Sequence, residues 1–452
     1  MSAPLMKSVS GIRGIVGESL TPELVTSVAA AFAAYANGGT VVVGRDSRCT
    51  GGAIAQCVSS VLALAGCDVV DIGIVPTPTV QVMVEHLKAA GGIIISASHN
   101  PIEWNAFKLV NKTGTFLNAE EIASFFERME RAGAYRRWDA VGSMTCRDDA
   151  GDIHMARVRE VINERIIKRK KFSIALDSVN GAGSIITQTF LKKLGCAVHP
   201  VHCTITGTFP RGAEPLPENL KDLSRAVKRT KAHIGFAQDP DADRLAIVDE
   251  RGRPIGEENT IALVVEHLLS RKKGRVVVNL STTKAVDDVA ARYGAPVVRT
   301  RVGEINVVDE MRRGGARIGG EGNGGVISPE VHLGRDSLVG IGYILEMMAE
   351  RGKTISELVA DLPRYTMIKG KVEFRPGAIG ASFFDQLAER YRGERITDID
   401  GVRIDFERDE AFRGGWVHLR ASNTEPIFRI IAEGRTKAQA EGLYAHFAAM
   451  VE

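Results

Sequence analysis

One arrangement occurs three times along the chain and narrows the folds open to it. The stretches "GTVVVGRDSRCTGGAIAQCVSSVLALAGCDVVDIG", "KKFSIALDSVNGAGSIITQTFLKKLGCAVHPV" and "KGRVVVNLSTTKAVDDVAARYGAPVVRTRVG" share one order of parts. Each runs from an apolar strand through a polar turn into a helical stretch, then to a glycine and a second strand. A short apolar run, helical periodicity and a glycine stop describe a βαβ unit with a buried parallel strand. One large doubly wound sheet could hold all three units. Turn-rich stretches lie between them, however, and favour three related α/β domains. "RRWDAVGSMTCRDDAGD" around residue 148, "DERGRP" at 249–254 and "ADLPRYTMIKGKVEFRPG" around 366 mark the breaks. The expected domains are therefore 1–148, 149–250, 251–366 and 367–452. The last differs from the others. "ITDIDGVRIDF" and "GWVHLRASNTEPIFRIIAEG" read as strands and "TKAQAEGLYAHFAAMVE" as an amphipathic helix, which gives a smaller α+β domain.

Composition removes several functions. The formal net charge is +3 over 452 residues, too small to call for nucleic acid or an anionic membrane. No apolar stretch reaches the roughly 20 residues that span a bilayer, and "MSAPLMKSVSGIRGIVG" has no signal-peptide core. The six cysteines form no Cys-x-x-Cys pair, and Cys57, Cys67 and Cys196 lie in apolar periodic segments as core residues. Scattered cysteines of this kind fit a reducing cytoplasm. A cytoplasmic protein is expected.

Four polar clusters interrupt this framework. "DPDADR" at 239–244 follows the apolar run "HIGFAQ". In extended backbone, residues two apart share a side, so Asp239, Asp241 and Asp243 could converge on one cation. All-oxygen ligation favours Mg²⁺ or Ca²⁺. The spacing imitates an EF-hand loop ending at Glu250, but the sixth position needs glycine and holds Arg244. A solvated acidic turn is the remaining alternative. In "GGEGNGG" at 319–325, Glu321 and Asn323 offer an acceptor and an amide among glycines, which suits sugar hydroxyls or a plain glycine turn. "RASNTEPIFR" gathers Arg420, Ser422, Asn423, Thr424 and Arg429, a donor set suited to phosphate. "IIISASHNP" ends a strand at Ser98 and His99. The hydrolase elbow Gly-x-Ser-x-Gly is absent, so Ser98 is a candidate phosphoryl carrier rather than a hydrolase nucleophile.

"SASHNP", "DPDADR", "GEGNGG" and "RASNTEPIFR", in this order over nearly the whole chain, resemble the α-D-phosphohexomutase superfamily. That superfamily includes phosphoglucosamine mutases, phosphomannomutases and phosphoglucomutases. The resemblance implies an α/β fold of three related mixed α/β domains plus a smaller C-terminal α+β domain, heart-shaped around a central cleft. It implies Ser98 as the phosphoserine, and Mg²⁺ held by Asp239, Asp241 and Asp243 and touching the Ser98 phosphate. The phosphoryl group would pass to a hexose monophosphate, giving a bound hexose 1,6-bisphosphate, before the other phosphate returns to Ser98. Glu321 and Asn323 would read sugar hydroxyls. Arg420, Ser422, Asn423, Thr424 and Arg429 would hold the phosphate that is not reacting.

In "NPIEWNAFK", Asn105 and Lys108 match the pattern after the serine loop. Lys108 is a candidate acid or base, provided burial or nearby cations lower its pKa. Arg13 of "SGIRGIVG" suits charge stabilisation. His99 would shape its loop or bind phosphate. Arg244 and Arg301 are lesser candidates for phosphate contact. Many bacterial relatives carry Glu-Met-Ser-Gly-His in the sugar loop. Here Asn323 replaces the serine and Gly325 stands at the histidine, with His332 as a possible substitute. This variant resembles archaeal-type enzymes and leaves the sugar open. The expectation is a Mg²⁺-dependent phosphohexomutase acting on small hexose phosphates, as monomer or homodimer. Phosphoglucosamine mutase leads, with phosphomannomutase or phosphoglucomutase as the alternative. A metal-dependent phosphatase and a sugar-phosphate sensor are lesser readings.

Overall fold

The computed structural model describes residues 5–131, 133, 135–373, 383–421 and 427–451. Val41–Arg45, Gly91–Ile95 and Val69–Ile74 make the parallel centre of a seven-stranded sheet, and Trp104–Asn111 runs antiparallel against Gly91–Ile95. Gly11–Ile15 and Met6–Ser8 extend that edge, while Met144–Cys146 closes the other. A strand covered on both faces must be apolar on both, and Val41 to Val43 and Ile93 to Ile95 are fully buried. Pro22–Ala36 and Gly51–Leu64 cover one face through Phe32, Val58 and Leu62. Thr77–Leu87 covers the other through Val80, Met83 and Val84.

The same four-strand order recurs twice. Ala197–Val201, Ser173–Asp177 and Ile234–Gln238 run parallel, and Leu245–Val248 returns antiparallel. Val297–Thr300, Val276–Asn279 and Ile318–Glu321 run parallel, and Gly325–Ile327 returns antiparallel. The repeat is thus longer than the βαβ unit legible in the sequence. Each copy continues into a third parallel strand that reverses at a tight loop. Those loops, at 96–103, 239–244 and 322–324, are the serine, aspartate and sugar motifs.

The second and third sheets share one apolar cluster, from Met155 to Leu362. Ser337–Arg351 is buried on nearly every side within it, as its uninterrupted apolar run requires. The last sheet is wholly antiparallel, in the order Thr366–Glu373, Ile427–Gly434, Trp416–Ala421, Val402–Asp405, Arg395–Thr397. Leu443 and Phe447 of Lys437–Val451 fill its core with Val417, Leu419 and Ile430. Cys67 and Cys196 are core residues and Cys57 is half-buried. Among the described residues, no helix is long and apolar enough to cross a membrane.

Candidate active site

Ser98 sits at φ 49°, in the left-handed region that a residue with a Cβ seldom adopts. Neighbouring groups hold it there. The buried Arg48 guanidinium donates to the carbonyls of Ser98 at 2.8 Å, Asn100 at 2.8 Å and Pro101 at 2.6 Å. Asp46 pairs with Arg48 at 3.1 Å and accepts from Ser96 Oγ at 2.7 Å. Ser96 Oγ in turn accepts from the Ser98 amide at 3.0 Å. A strained conformation persists when its surroundings over-determine it. The result aims Ser98 Oγ at Asp239 Oδ2, to which it donates at 2.9 Å.

Asp239, Asp241 and Asp243 are fully buried, with one carboxylate oxygen of each lying within 4.8 Å of the other two. They converge, but not by extended alternation as the sequence suggested. Residues 239–244 form a turn with Ala242 at φ 52°. Asp239 Oδ1 accepts from the Arg244 amide at 3.1 Å, and the Asp241 carbonyl accepts from the Thr77 amide at 3.0 Å. Gly181 packs so closely that a Cβ there would lie 2.5 Å from the Pro240 carbonyl oxygen.

Three buried carboxylates need positive charge. Burial, then the negative neighbours Asp243 and Asp241, push the Asp239 carboxyl well above its ordinary value. Burial also acts to raise Asp241, but Lys108 and hydrogen bonds from Lys108 and Thr77 outweigh it and hold Asp241 below the usual range. Lys108 Nζ lies 2.5 Å from Asp241 Oδ2 and 3.4 Å from Asp243 Oδ2. Asp241 Oδ1 and Asp243 Oδ1 are buried without a hydrogen-bond partner among the described residues. Such acceptors are costly to leave unpaired. An all-carboxylate donor set with two unused oxygens fits a hard divalent cation such as Mg²⁺.

Ser98, His99, Lys108, Arg13, Arg244, Glu321, Asn323, Arg420 and Arg429 line one cleft of about 590 Å³, within the range of small-ligand sites. Arg13 Nη1 donates to Asn100 Oδ1 at 3.0 Å. His99 Nδ1 lies 3.4 Å from Ser98 Oγ. Burial, then Arg244 and Arg13, push the imidazole down to about 2, so His99 is neutral. Arg244 Nη1 donates to Glu214 Oε1 at 2.6 Å. Arg420 Nε pairs with Asp400 Oδ1 at 3.0 Å, and Arg420 sits opposite Arg429 on the neighbouring strand. The last sheet is fixed to the third by Asp400 on the Val302 amide and Glu433 on the Lys284 amide, at 2.9 and 2.8 Å.

Several sequence expectations change. Lys108 does not have a lowered pKa: burial acts in that direction, but Asp241 and Asp243 outweigh it and hold the ammonium above its ordinary value. Arg301 is exposed and does not line the cleft. Asn105 is buried, with its amide on Thr50 Oγ1 at 3.0 Å. His332 does not replace the missing sugar-loop histidine. It is buried outside the cleft lining, with Nε2 3.3 Å from Asp336 Oδ2. The space at Gly325 is taken by Arg335, whose Cδ would lie 2.3 Å from a Cβ there. Ser422, Asn423 and Thr424 lie outside the described residues.

Arg335 is the main residue that sequence reasoning missed. It joins Asp243 at 2.6 Å, Glu321 at 2.7 Å and Glu304 at 3.0 Å, tying the aspartate loop to the sugar loop. Arg48 was missed as well. A signal existed for Arg335, since "GRDS" occurs at 44–47 and again at 334–337, whereas Arg48 lies just beyond the first copy and had none. Glu321 is fixed further by Asn279 Nδ2, which donates to its Oε1 at 2.8 Å.

Comparison with known proteins agrees with this arrangement. Four models of one family match in order. Phosphoglucomutase/phosphomannomutase alpha/beta/alpha domains I, II and III match residues 5–136, 152–252 and 257–365, and the C-terminal domain matches 367–450. A Thermococcus kodakarensis protein named "Phosphoglucomutase/phosphomannomutase" is 38% identical over 95% of this chain and 94% of its own. A Methanopyrus kandleri protein named "Probable phosphoglucosamine mutase" is 36% identical over 98% and 96%. The crystal structure of a phosphoglucomutase/phosphomannomutase family protein from Burkholderia thailandensis superposes with a TM-score of 0.82 at 26% identity, covering 98% of this chain and 97% of that one. With all four domain models matched in order, the chain belongs to the phosphoglucomutase/phosphomannomutase family, the phosphohexomutases, and is an isomerase of that class.

Proposed function

We propose that the protein interconverts the 1-phosphate and 6-phosphate of glucosamine through phospho-Ser98 and a bound hexose 1,6-bisphosphate. The observation that carries this reading is the Ser98 hydroxyl, 2.9 Å from Asp239 at the mouth of a buried carboxylate triad. In the forward half-reaction the Ser98 Oγ–P bond breaks as an O–P bond forms to the free sugar hydroxyl, and the hydroxyl's proton ends on Ser98 Oγ. The sugar then turns over, and its other phosphate returns to Ser98. Asp239, Asp241 and Asp243 would hold Mg²⁺, which when bound neutralises charge on the transferring phosphoryl group. Lys108 and Arg13 stabilise the same charge from the cleft wall. Arg420 and Arg429 hold the phosphate that is not reacting, and Glu321 reads sugar hydroxyls with its carboxylate fixed by Arg335 and Asn279.

Glucosamine is favoured by the relative of that name from Methanopyrus kandleri. Mannose or glucose phosphate is the second reading, favoured by the Thermococcus kodakarensis relative. Initial rates of 1-phosphate to 6-phosphate conversion should be highest for glucosamine among glucosamine, mannose and glucose. A higher specificity constant for mannose or glucose would overturn the sugar assignment. Release of inorganic phosphate in place of isomerisation would overturn the reaction.

A further inference from the structure

Lys369 reaches the cleft from Thr366–Glu373, the first strand of the last sheet. Its ammonium lies 2.5 Å from Glu257 Oε1, 2.8 Å from Glu258 Oε1 and 3.3 Å from the Gly322 carbonyl oxygen. Glu257, Glu258 and Gly322 all face the same cleft, and Gly322 belongs to the sugar loop itself. This is an ammonium site, two carboxylates and a carbonyl, occupied by a side chain from a different sheet.

The site is built rather than incidental. Glu258 Oε2 accepts from the Thr283 amide at 2.9 Å, which fixes the carboxylate. A Cβ at position 322 would lie 2.1 Å from that oxygen, so only glycine lets Glu258 close against the sugar loop. Glu258 Oε1 is buried and has no hydrogen bond among the described residues, its contact with Lys369 being an ion pair. The other carboxylates on the cleft wall are committed to arginines, Glu321 and Glu304 to Arg335 and Glu214 to Arg244. Burial and Glu257, working against Lys369, push the Glu258 carboxyl up to about 7, which marks a place short of positive charge.

We propose that Glu257, Glu258 and the Gly322 carbonyl bind the protonated amino group at C2 of a 2-amino-2-deoxyhexose phosphate, a place that the Lys369 ammonium holds until substrate arrives. This rests on the amino-sugar reading given above and names the residues that would enforce it. An ammonium brings three donors and a full charge to two carboxylates and a carbonyl, whereas a C2 hydroxyl brings one donor and none. Lys369 is 38% exposed, on a flexible stem that can swing into the cleft, where its charge meets an anionic ligand.

The test is the ratio of dissociation constants for glucosamine 6-phosphate and glucose 6-phosphate, measured by calorimetry on the intact protein. The ratio is insensitive to a partly inactive preparation. Glu258→Gln should shift it about tenfold or more against glucosamine 6-phosphate, the loss of one charge-assisted contact. Lys369→Met should shift it the other way, because the resident competitor is gone. An unchanged ratio in Glu258→Gln, or a shift against the amino sugar in Lys369→Met, would overturn the proposal. Failure of the sugar assignment is a separate result: the wild-type protein would then turn over mannose or glucose phosphate better, whatever the variants do to the binding ratio.

Discussion

Ser98 shows both what a sequence conveys and what it withholds. An apolar run ending in "SASHNP" announces a functional loop, but the left-handed backbone at Ser98 follows from Arg48, which lies 50 residues away in sequence. Asp239, Asp241 and Asp243 were legible as candidate cation ligands, although the turn that gathers them was not. Lys108 illustrates the limit most clearly. Its identity was visible, but its pKa depends on two carboxylates more than 130 residues away. Asp241→Asn should weaken Mg²⁺ binding by at least tenfold in titration calorimetry, since a hard cation loses one of three charged ligands. Unchanged affinity would return the triad to a solvated turn. Arg48→Ala should lower stability by about 3–5 kcal/mol in urea denaturation, because Asp46 is left buried without its partner. A loss below about 1 kcal/mol would mean that Arg48 does not clamp the loop.

At the scale of elements, the strand–turn–helix–glycine repeat exposed three α/β units but ended each two strands too early. The missing parts are the third parallel strand and its reversal into an antiparallel strand, and the three polar motifs sit at that reversal. Short apolar runs such as "LAIV" and "GVI" have no periodicity of their own that would reveal their direction. Placement of the aspartate loop depends on the neighbouring element as much as on its own strand. Gly181→Ala would drive a Cβ into the Pro240 carbonyl, at a cost of about 1–3 kcal/mol if the loop yields. Mg²⁺ affinity should fall in that variant while the Ser98 loop is untouched. Wild-type affinity in Gly181→Ala would show that the loop holds its shape without this support.

For the whole molecule, the cleft exists because all four sheets contribute described residues to it, among them Ser98, Arg244, Glu321 and Arg420. Arg335 joins the second and third contributions, and Asp400 and Glu433 fasten the fourth. The four-domain plan could be read from the repeated units and the turn-rich stretches between them, whereas these ties between domains could not, because each joins residues distant in sequence. Arg420→Ala should weaken binding of the 1-phosphate and the 6-phosphate alike, by about 1.5–3 kcal/mol for a charge-assisted contact. Glu321→Ala should cost an amount that depends on the sugar's stereochemistry. A harmless Arg420→Ala together with a Glu321→Ala blind to sugar identity would mean that the two loops have exchanged roles. The most direct measurement is transfer of label from radioactive hexose 1,6-bisphosphate to the protein, followed by peptide mapping and by assay of Ser98→Ala. Label should appear on Ser98 alone, chase into hexose monophosphate, and be absent from the alanine variant, which should not turn over. Normal turnover by Ser98→Ala, or label on another residue that chases at the catalytic rate, would contradict the assignment of Ser98 as the phosphoryl carrier.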